Sequence, residues 1–205
     1  MDTGGPVVSG NTCYGWKHNC IDVKAVVKAV VKNNTVHGPA TAGSAFYLEN
    51  TEIPAADVTW SSNVVYASPN GFECETGVAA SNNSLDCRAY NNTVYLGNQA
   101  AIVTGTGCNQ PITWDVRNNI LDTIYLTYIP SSCSNRTIIW DYNDDCASQG
   151  TCNSSYTGPH DMHMVNPDYD DAGADPPNFH LWSGSPLIDA GLQGLTTGNN
   201  DIGAY

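Results

Sequence analysis

A short apolar segment that ends in Asn and is followed by further apolar residues recurs along the chain. Its copies read VVKNNTVHG, TWSSNVVYA, RAYNNTVYL, DVRNNILDT and IWDYNDDC. The anchoring residues are Asn34, Asn63, Asn92, Asn119 and Asn143, with an earlier copy at Asn11. Successive anchors lie 23 to 29 residues apart. A period in this range indicates a repeat protein in which each unit packs against its neighbours.

A second repeat runs in phase with the first, as the five-residue stretches IDVKA, FYLEN, FECET, AIVTG and IYLTY. Alternation of apolar and polar residues over so short a length, with many Val, Ile, Phe and Tyr, indicates β-strand and not helix. One side of each strand is apolar and is expected to face the interior. Its two positions hold Ile21, Phe46, Phe72, Ala101 and Ile124, and Val23, Leu48, Cys74, Val103 and Leu126.

Each period therefore contains one strand, a loop, a second strand that ends at Asn and a short third strand, which together make one coil of an all-β solenoid of about six coils. Asn suits the bend between strands because it tolerates the left-handed region, and stacked Asn amides can form a ladder of hydrogen bonds. Counting back from the anchors predicts two further inward columns. They contain Val31, Trp60, Ala89, Val116 and Trp140, and Ala29, Val58, Cys87, Trp114 and Ile138.

Charge and cysteine content narrow the partners and the compartment. The 205-residue chain has a net charge of −13 without a basic cluster, which argues against nucleic acid as a partner. Its eight cysteines are even in number and are not arranged as paired zinc motifs, so disulfides are favoured over reactive or metal-binding thiols. No apolar run is long enough to cross a bilayer, and we expect a secreted protein that does not engage a membrane. The expected bridges are Cys13–Cys20, Cys74–Cys87, Cys108–Cys133 and Cys146–Cys152.

The phased strands, the Asn pattern and the tail NFHLWSGSPLIDAG at 178–191 resemble the pectate lyase-like superfamily of right-handed parallel β-helices, over roughly residues 7–205. The resemblance implies coils over 1–157 and a closing segment over 158–205 that packs on the last coils as a C-terminal cap. The superfamily contains lyases, hydrolases, epimerases and non-catalytic coats, so the fold alone does not name an activity.

The outward positions of the first strands place several charged side chains on one face. One column contains Asp22, Tyr47, Glu73, Ile102 and Tyr125, and the other contains Lys24, Glu49, Glu75, Thr104 and Thr127. Neighbours in a column would lie about 4.8 Å apart. This spacing suits Ca²⁺ held between carboxylates, and it also suits a carboxylate pair that hydrolyses a glycosidic bond.

The resemblance implies roles for these residues in a Ca²⁺-dependent polysaccharide lyase. Lys24 would be the base that removes a proton beside a uronate carboxylate. The ion ligands would be Asp22, Glu49, Glu73 and Glu75. A glycosidase would instead use Glu49, Glu73 and Glu75. Across these hypotheses the candidate catalytic residues are Lys24, Glu49 and Glu75. The candidate substrate-binding residues are Tyr47, Tyr125 and His18. Two features depart from the lyase pattern: AFYLEN stands where some relatives place an Arg-His pair, and flanking carboxylates oppose a neutral Lys24.

The competing hypothesis is a structural or glycan-binding module without catalysis, in which Lys24 pairs with Glu49 and the other carboxylates are solvated. In both cases the expected partner is a polysaccharide. A second expectation is self-association through an uncapped N-terminal coil. His160 and His163 resemble a metal motif, but the HxxH spacing is a weak signal and a loop is the preferred interpretation.

Overall fold

The computed structural model describes residues 5–24, 26–38, 43–50, 55–76, 84–104, 111–128, 135–145, 156–163, 165–174, 177–195 and 200–204, with backbone alone at 50, 76, 96–99, 124–126 and 128. The described residues form β-strands and no helix. In chain order the strands are β1 (Val7–Ser9), β2 (Thr12–Tyr14), β3 (Ile21–Lys24), β4 (Lys28–Lys32), β5 (Thr35–His37), β6 (Ser44–Asn50), β7 (Ala55–Ser61), β8 (Val64–Tyr66), β9 (Asn70–Thr76), β10 (Ser84–Tyr90), β11 (Thr93–Thr104), β12 (Ile112–Arg117), β13 (Ile120–Tyr128), β14 (Arg136–Asp141), β15 (Asp144–Asp145), β16 (Met162–His163), β17 (Tyr169–Asp171) and β18 (Asn178–Leu181).

Two parallel sheets form the walls of a solenoid. One has the strand order β1-β4-β7-β10-β12-β14, and the other runs β16-β15-β13-β11-β8-β5-β2 with β3, β6 and β9 joined to it at β11. Each strand pairs with its equivalent one coil away, which confirms the all-β parallel solenoid. The stack has about four turns and not six. The count from the Asn anchors was too high because the first and last rungs contribute only short strands such as β1, β2 and β16 to the described structure.

The interior of the second strands follows the prediction. Val31, Trp60, Ala89 and Val116 lie in register and are fully buried, and Trp140 continues the column. In the first strands Phe46 pairs with Phe72, and their rings stack with centroids 5.2 Å apart. Each coil therefore buries its apolar side chains against the coils above and below.

The interior of β11 differs from the prediction by one residue. Phe72 pairs with Ile102 and not with Ala101, and Ile102 belongs to the buried core. The predicted outward positions of Ile102 and Thr104 are therefore wrong. Thr104 is 2% exposed, and its Oγ1 accepts a hydrogen bond of 3.0 Å from Trp114 Nε1.

The cause is an irregular register between β11 and β13. Pairing shifts on both sides of Gly97, so the strand that begins as the third strand of one coil enters the next coil one residue out of phase. Such a slip exchanges the two faces of a strand. The backbone of Tyr125 consequently lies beside Ala100 and not beside Ile102, and its side chain is outside the described part.

The Asn ladder is confirmed. Asn92 Oδ1 accepts hydrogen bonds of 3.0 Å from both the backbone nitrogen and Nδ2 of Asn63. Its own Nδ2 donates to Trp60 O at 3.1 Å and to Asn119 Oδ1 at 3.0 Å. The amide is thus satisfied although Asn92 is fully buried. The pattern extends from Asn11 to Asn143.

The left-handed residue of each turn precedes the ladder Asn, whereas the sequence argument assigned that conformation to the ladder Asn itself. Positive φ angles occur at Gly10, Asn33, Ser62, Asn91, Asn118 and Tyr142. The bend and the ladder therefore depend on different residues. The left-handed residue makes the bend, and the next residue directs its side-chain amide along the stack.

The C-terminal segment packs along the side of the coils. Leu187 and Ile202 form a small buried cluster with Ile120 of β13. Asn118 binds Leu192 in both directions: its Nδ2 donates to the carbonyl at 2.9 Å and its Oδ1 accepts from the nitrogen at 2.8 Å. Asn118, the left-handed turn residue of its coil, therefore also binds the C-terminal segment.

Two of the four predicted disulfides are present, Cys13–Cys20 and Cys74–Cys87. Cys108, Cys133, Cys146 and Cys152 lie outside the described residues. In the part of the chain that the structure describes, no helix has the length and apolarity needed to span a bilayer.

Candidate functional site

The predicted outward columns are in register over the first three coils. Asp22, Tyr47 and Glu73 occupy one column, and Lys24, Glu49 and Glu75 occupy the other. We call these six residues the acidic face. The structure therefore brings the candidate catalytic and metal-ligating residues onto one surface, where their side-chain contacts decide what they can do.

Lys24 is held by carboxylates on both sides. Its Nζ lies 2.7 Å from Glu49 Oε2 and 3.6 Å from Asp22 Oδ2. The hydrogen bond to Glu49 and the negative charges of Asp22 and Glu49 raise the pKa of Lys24. A lysine that acts as a base must first lose its proton, so this environment opposes that role.

The remaining side chains of the acidic face bind one another or a neighbouring hydroxyl. Tyr47 is 9% exposed and its hydroxyl donates to Glu75. Burial, followed by this hydrogen bond, raises the pKa of Tyr47 strongly. Ser44 Oγ donates to Glu73 Oε2 at 2.5 Å, and burial raises the pKa of Glu73. Tyr47 is therefore engaged inside the face and does not present its ring as a platform for a sugar.

The acidic face does not fit a Ca²⁺ ion well. In the described residues, no group of three or more His, Cys, Asp and Glu side chains is placed to hold a metal. Glu49 binds Lys24, Glu75 binds Tyr47 and Glu73 binds Ser44. Ca²⁺ prefers six to eight oxygen ligands, and these carboxylates are committed to separate partners. His18, which was predicted to bind substrate, is exposed in the loop between β2 and β3.

The sequence analysis missed a second surface, formed by the third strands. Tyr14, His37 and Tyr66 are in register on β2, β5 and β8, and we call them the aromatic column. The His37 ring stacks on Tyr14 with centroids 5.6 Å apart and on Tyr66 with centroids 4.7 Å apart. Tyr14 is 74% exposed. A signal was present, since an aromatic residue recurs three positions after successive anchors, with Tyr95 as the fourth copy.

A groove of about 860 Å³ adjoins this column and is lined by His37 and Tyr66 and by the β18 residues Asn178, Phe179 and His180. Phe179 of β18 packs on Tyr66 and Tyr95 and closes the groove at one end. The polar side chains that line it include Asn33, Thr35, Ser62, Asn178 and His180. No Asp or Glu is present among the described lining residues. The groove therefore combines flat rings with amides and hydroxyls, which is the composition typical of a small-molecule or glycan site.

The two histidines of the HxxH motif contact different carboxylates. His160 Nδ1 lies 2.9 Å from Asp141 Oδ2, and its ring stacks on Tyr142 with centroids 4.4 Å apart. Burial raises the pKa of Asp141, but hydrogen bonds from His160 outweigh it and the net shift is downward. His163 Nδ1 lies 3.8 Å from Asp145 Oδ2. The pair does not form a joint metal centre in the described structure.

Asp144 and Asp145 are fully buried at the last rung. One carboxylate oxygen of each, Oδ2 of Asp144 and Oδ1 of Asp145, lacks a hydrogen-bond partner. Burial raises the pKa of both residues to about 8. We therefore expect the stability of this end of the solenoid to depend on pH.

No protein-family model, curated protein or solved structure matches the chain.

Proposed function

We propose that this chain is a polysaccharide-binding β-solenoid and that the glycan lies along the aromatic column and the adjoining groove. The observation that carries the proposal is the stack of Tyr14, His37 and Tyr66, with Tyr14 exposed, beside a groove lined by amide and hydroxyl groups. This is the non-catalytic alternative considered from the sequence, now assigned to a different surface.

The chemistry of sugars matches this surface. A pyranose ring has an apolar C–H face that can pack on the outer face of Tyr14 and against the ring edges of His37 and Tyr66. The hydroxyls at the edge of the sugar bind amides and hydroxyls. The column repeats its rings at the coil spacing of about 4.8 Å, which is comparable with the length of one sugar unit. Asn33, Ser62 and Asn178 line the same groove as His37 and Tyr66. A linear chain of sugars would therefore meet a repeated set of contacts.

Binding is favoured over cleavage because of the state of the acidic face. Lys24 is paired with two carboxylates, and Tyr47 is buried against Glu75. A Ca²⁺-dependent lyase would require Lys24 to lose its proton and the carboxylates to leave their partners. The lyase and the glycosidase built on Glu49, Glu73 and Glu75 stay predictions, and the absorbance measurement below tests the lyase.

An extracellular setting is part of the proposal. The disulfides Cys13–Cys20 and Cys74–Cys87 are compatible with an oxidising compartment. The resemblance of the Asn repeat and the tail to the pectate lyase-like superfamily, many of whose members act on polysaccharides, supports the same class of ligand.

Affinity electrophoresis through gels containing a panel of neutral and acidic polysaccharides tests the proposal. We expect retardation by at least one polymer, reduced about tenfold in affinity by Tyr66→Ala or Tyr14→Ala because each removes an aromatic contact. Tyr142→Ala is the matched control, since Tyr142 is also stacked on a histidine but lies on the last coil.

Two outcomes would contradict the proposal. The first is the absence of retardation by every polymer, with the protein shown to be folded. The second is growth of unsaturated-product absorbance in the presence of Ca²⁺ that is abolished by chelator and by Lys24→Ala, which would establish a lyase on the acidic face instead.

A further inference from the structure

We propose that the groove selects anionic polysaccharides and binds them more tightly in mildly acidic solution, through His37 and His180. This inference rests on the proposed polysaccharide-binding function and adds to it the charge of the ligand and a dependence on pH.

The charge distribution around the groove supports an anionic ligand. The chain as a whole carries a net charge of −13, which repels a polyanion from most of the surface. The described residues that line the groove contain no Asp or Glu but contain both His37 and His180. The groove is thus a gap in an otherwise acidic surface, and it becomes positive when its histidines are protonated.

The position of His37 leaves the edge of its ring as the part that a ligand can reach. Its ring lies between two tyrosine rings and is nearly parallel to both, with interplanar angles of 14° to Tyr14 and 2° to Tyr66. Both faces of the imidazole are therefore covered by tyrosine rings, and its two nitrogens remain accessible only at the ring edge. In the protonated state both ring nitrogens are donors, and they lie at the ring edge, where a carboxylate can accept from them.

His180 comes from the opposite wall of the groove. It follows Phe179, which packs on Tyr66, and its side chain is exposed. The titratable groups in contact with the His37 ring are Tyr14 of β2 and Tyr66 of β8, and His180 of β18 lines the same groove.

The acidic groups nearest to His180 lie on the other strand of its hairpin. They are Asp170 and Asp171 of β17, and Asp170 Oδ2 accepts a hydrogen bond of 2.8 Å from Asn178 Nδ2. Histidine changes charge between about pH 5 and pH 8, whereas a uronate carboxylate stays ionised over this range.

Two probes with the same backbone and different charge test the inference: polygalacturonate and its fully methyl-esterified form. Binding of both to the intact protein is measured at constant ionic strength at about pH 5 and about pH 8. We expect polygalacturonate to bind about fivefold or more tightly at the lower pH, and the ester to bind with little change. His37→Gln and His180→Gln should each reduce the pH effect.

His160→Gln is the control, because it removes a histidine outside the groove and reports the change in overall charge alone. Both groove variants must keep the thermal midpoint of the wild type; His180→Gln, at an exposed position, serves if His37→Gln unfolds. Equal binding of the two polymers that still depends on Tyr66 would overturn this inference and keep the proposed function. Absence of binding to either polymer at both pH values would overturn the inference, while the wider panel decides the function separately.

Discussion

The first and last rungs of the Asn ladder differ in burial and in what surrounds them. Asn11 is exposed, and β1 and β2 are the end strands of their sheets in the described structure. Val7 is 53% exposed on the same rung. Asn143 is fully buried, and its nitrogen donates to Asp161 Oδ1 at 2.9 Å. A carboxylate accepts hydrogen bonds but donates none when ionised, so Asp161 ends the ladder.

The same difference separates a binding surface from a packing surface. Tyr14, which is 74% exposed, lies at the uncovered end of the aromatic column, and Phe179 packs on Tyr66 at the other end. At the next coil Tyr95 occupies the equivalent position but is covered by Phe179 and Tyr169. One repeated sequence position thus serves two purposes, and the placement of the C-terminal hairpin decides which.

The largest expected effect is at the buried centre of the ladder. Asn92→Ala leaves the nitrogen of Asn63 and the carbonyl of Trp60 without their partners, and we expect a loss of about 3 kcal/mol in the free energy of unfolding. Asn11→Ala, at the exposed rung, should cost about 0.5 kcal/mol because water replaces the lost contacts. Urea unfolding of both variants measures the difference, and equal losses would contradict the contrast between the two positions.

The buried carboxylates of the last rung should make stability depend on pH. Burial raises the pKa of Asp144 and of Asp145 to about 8, so the folded state retains protons that the unfolded chain releases near pH 4. Their contribution is complete below about pH 4 and is lost as the pH rises towards 8, by about 2 kcal/mol or more.

The unfolding free energy measured between these limits checks this expectation. Asp144→Asn and Asp145→Asn should each flatten the decline, because an amide does not titrate. A stability that is constant or that rises over this range would show that the two side chains are ionised in the fold.

The terminating residue of the ladder should have a smaller effect. Asp161→Ala removes the acceptor for the nitrogen of Asn143, and we expect a loss of about 1 kcal/mol because the site is partly buried. Asp161→Asn keeps an oxygen at that position and should recover most of the loss. Thermal unfolding of the two variants measures the loss of stability. Equal losses for the Ala and Asn variants would mean that the hydrogen bond contributes little.

The smallest effect is expected at the acidic face beside the first rung. Lys24→Ala breaks the ion pairs with Glu49 and Asp22, but the ammonium group is exposed and screened by solvent. We expect no measurable change in the urea midpoint and none in polysaccharide affinity. A large loss of affinity would move the binding site from the aromatic column to this face.

Counting from the anchors was sufficient to predict most of the interior. The columns through Val31 and Trp60 and the Asn ladder follow directly from the repeat, because parallel coils place equivalent residues above one another. The same counting placed Asp22, Lys24, Glu49, Glu73 and Glu75 on one face. The pairing of Lys24 with Glu49 was one of the two hypotheses made from the sequence, and the structure shows it. The contacts of Glu75 with Tyr47 and of Glu73 with Ser44 could not be predicted, since side-chain partners depend on rotamers and on neighbours from other coils.

Where the chain departs from strict periodicity, counting along the repeat predicts the wrong residues to face inward. The register shift around Gly97 in β11 turned Ile102 and Thr104 inward. A strand that continues from one coil to the next without a turn has no turn residues in its sequence from which its register could be predicted.

The amino-acid sequence alone determined the solenoid, its period and its buried stack, because these arise from local alternation repeated at a constant spacing. The tertiary structure alone decided which copies of a repeated surface residue stay exposed. The C-terminal hairpin contacts residues about a hundred positions earlier, as in the packing of Phe179 on Tyr66. Contacts between residues so far apart produce no periodic pattern in the sequence. They nevertheless determine where the aromatic column ends and its covered continuation begins.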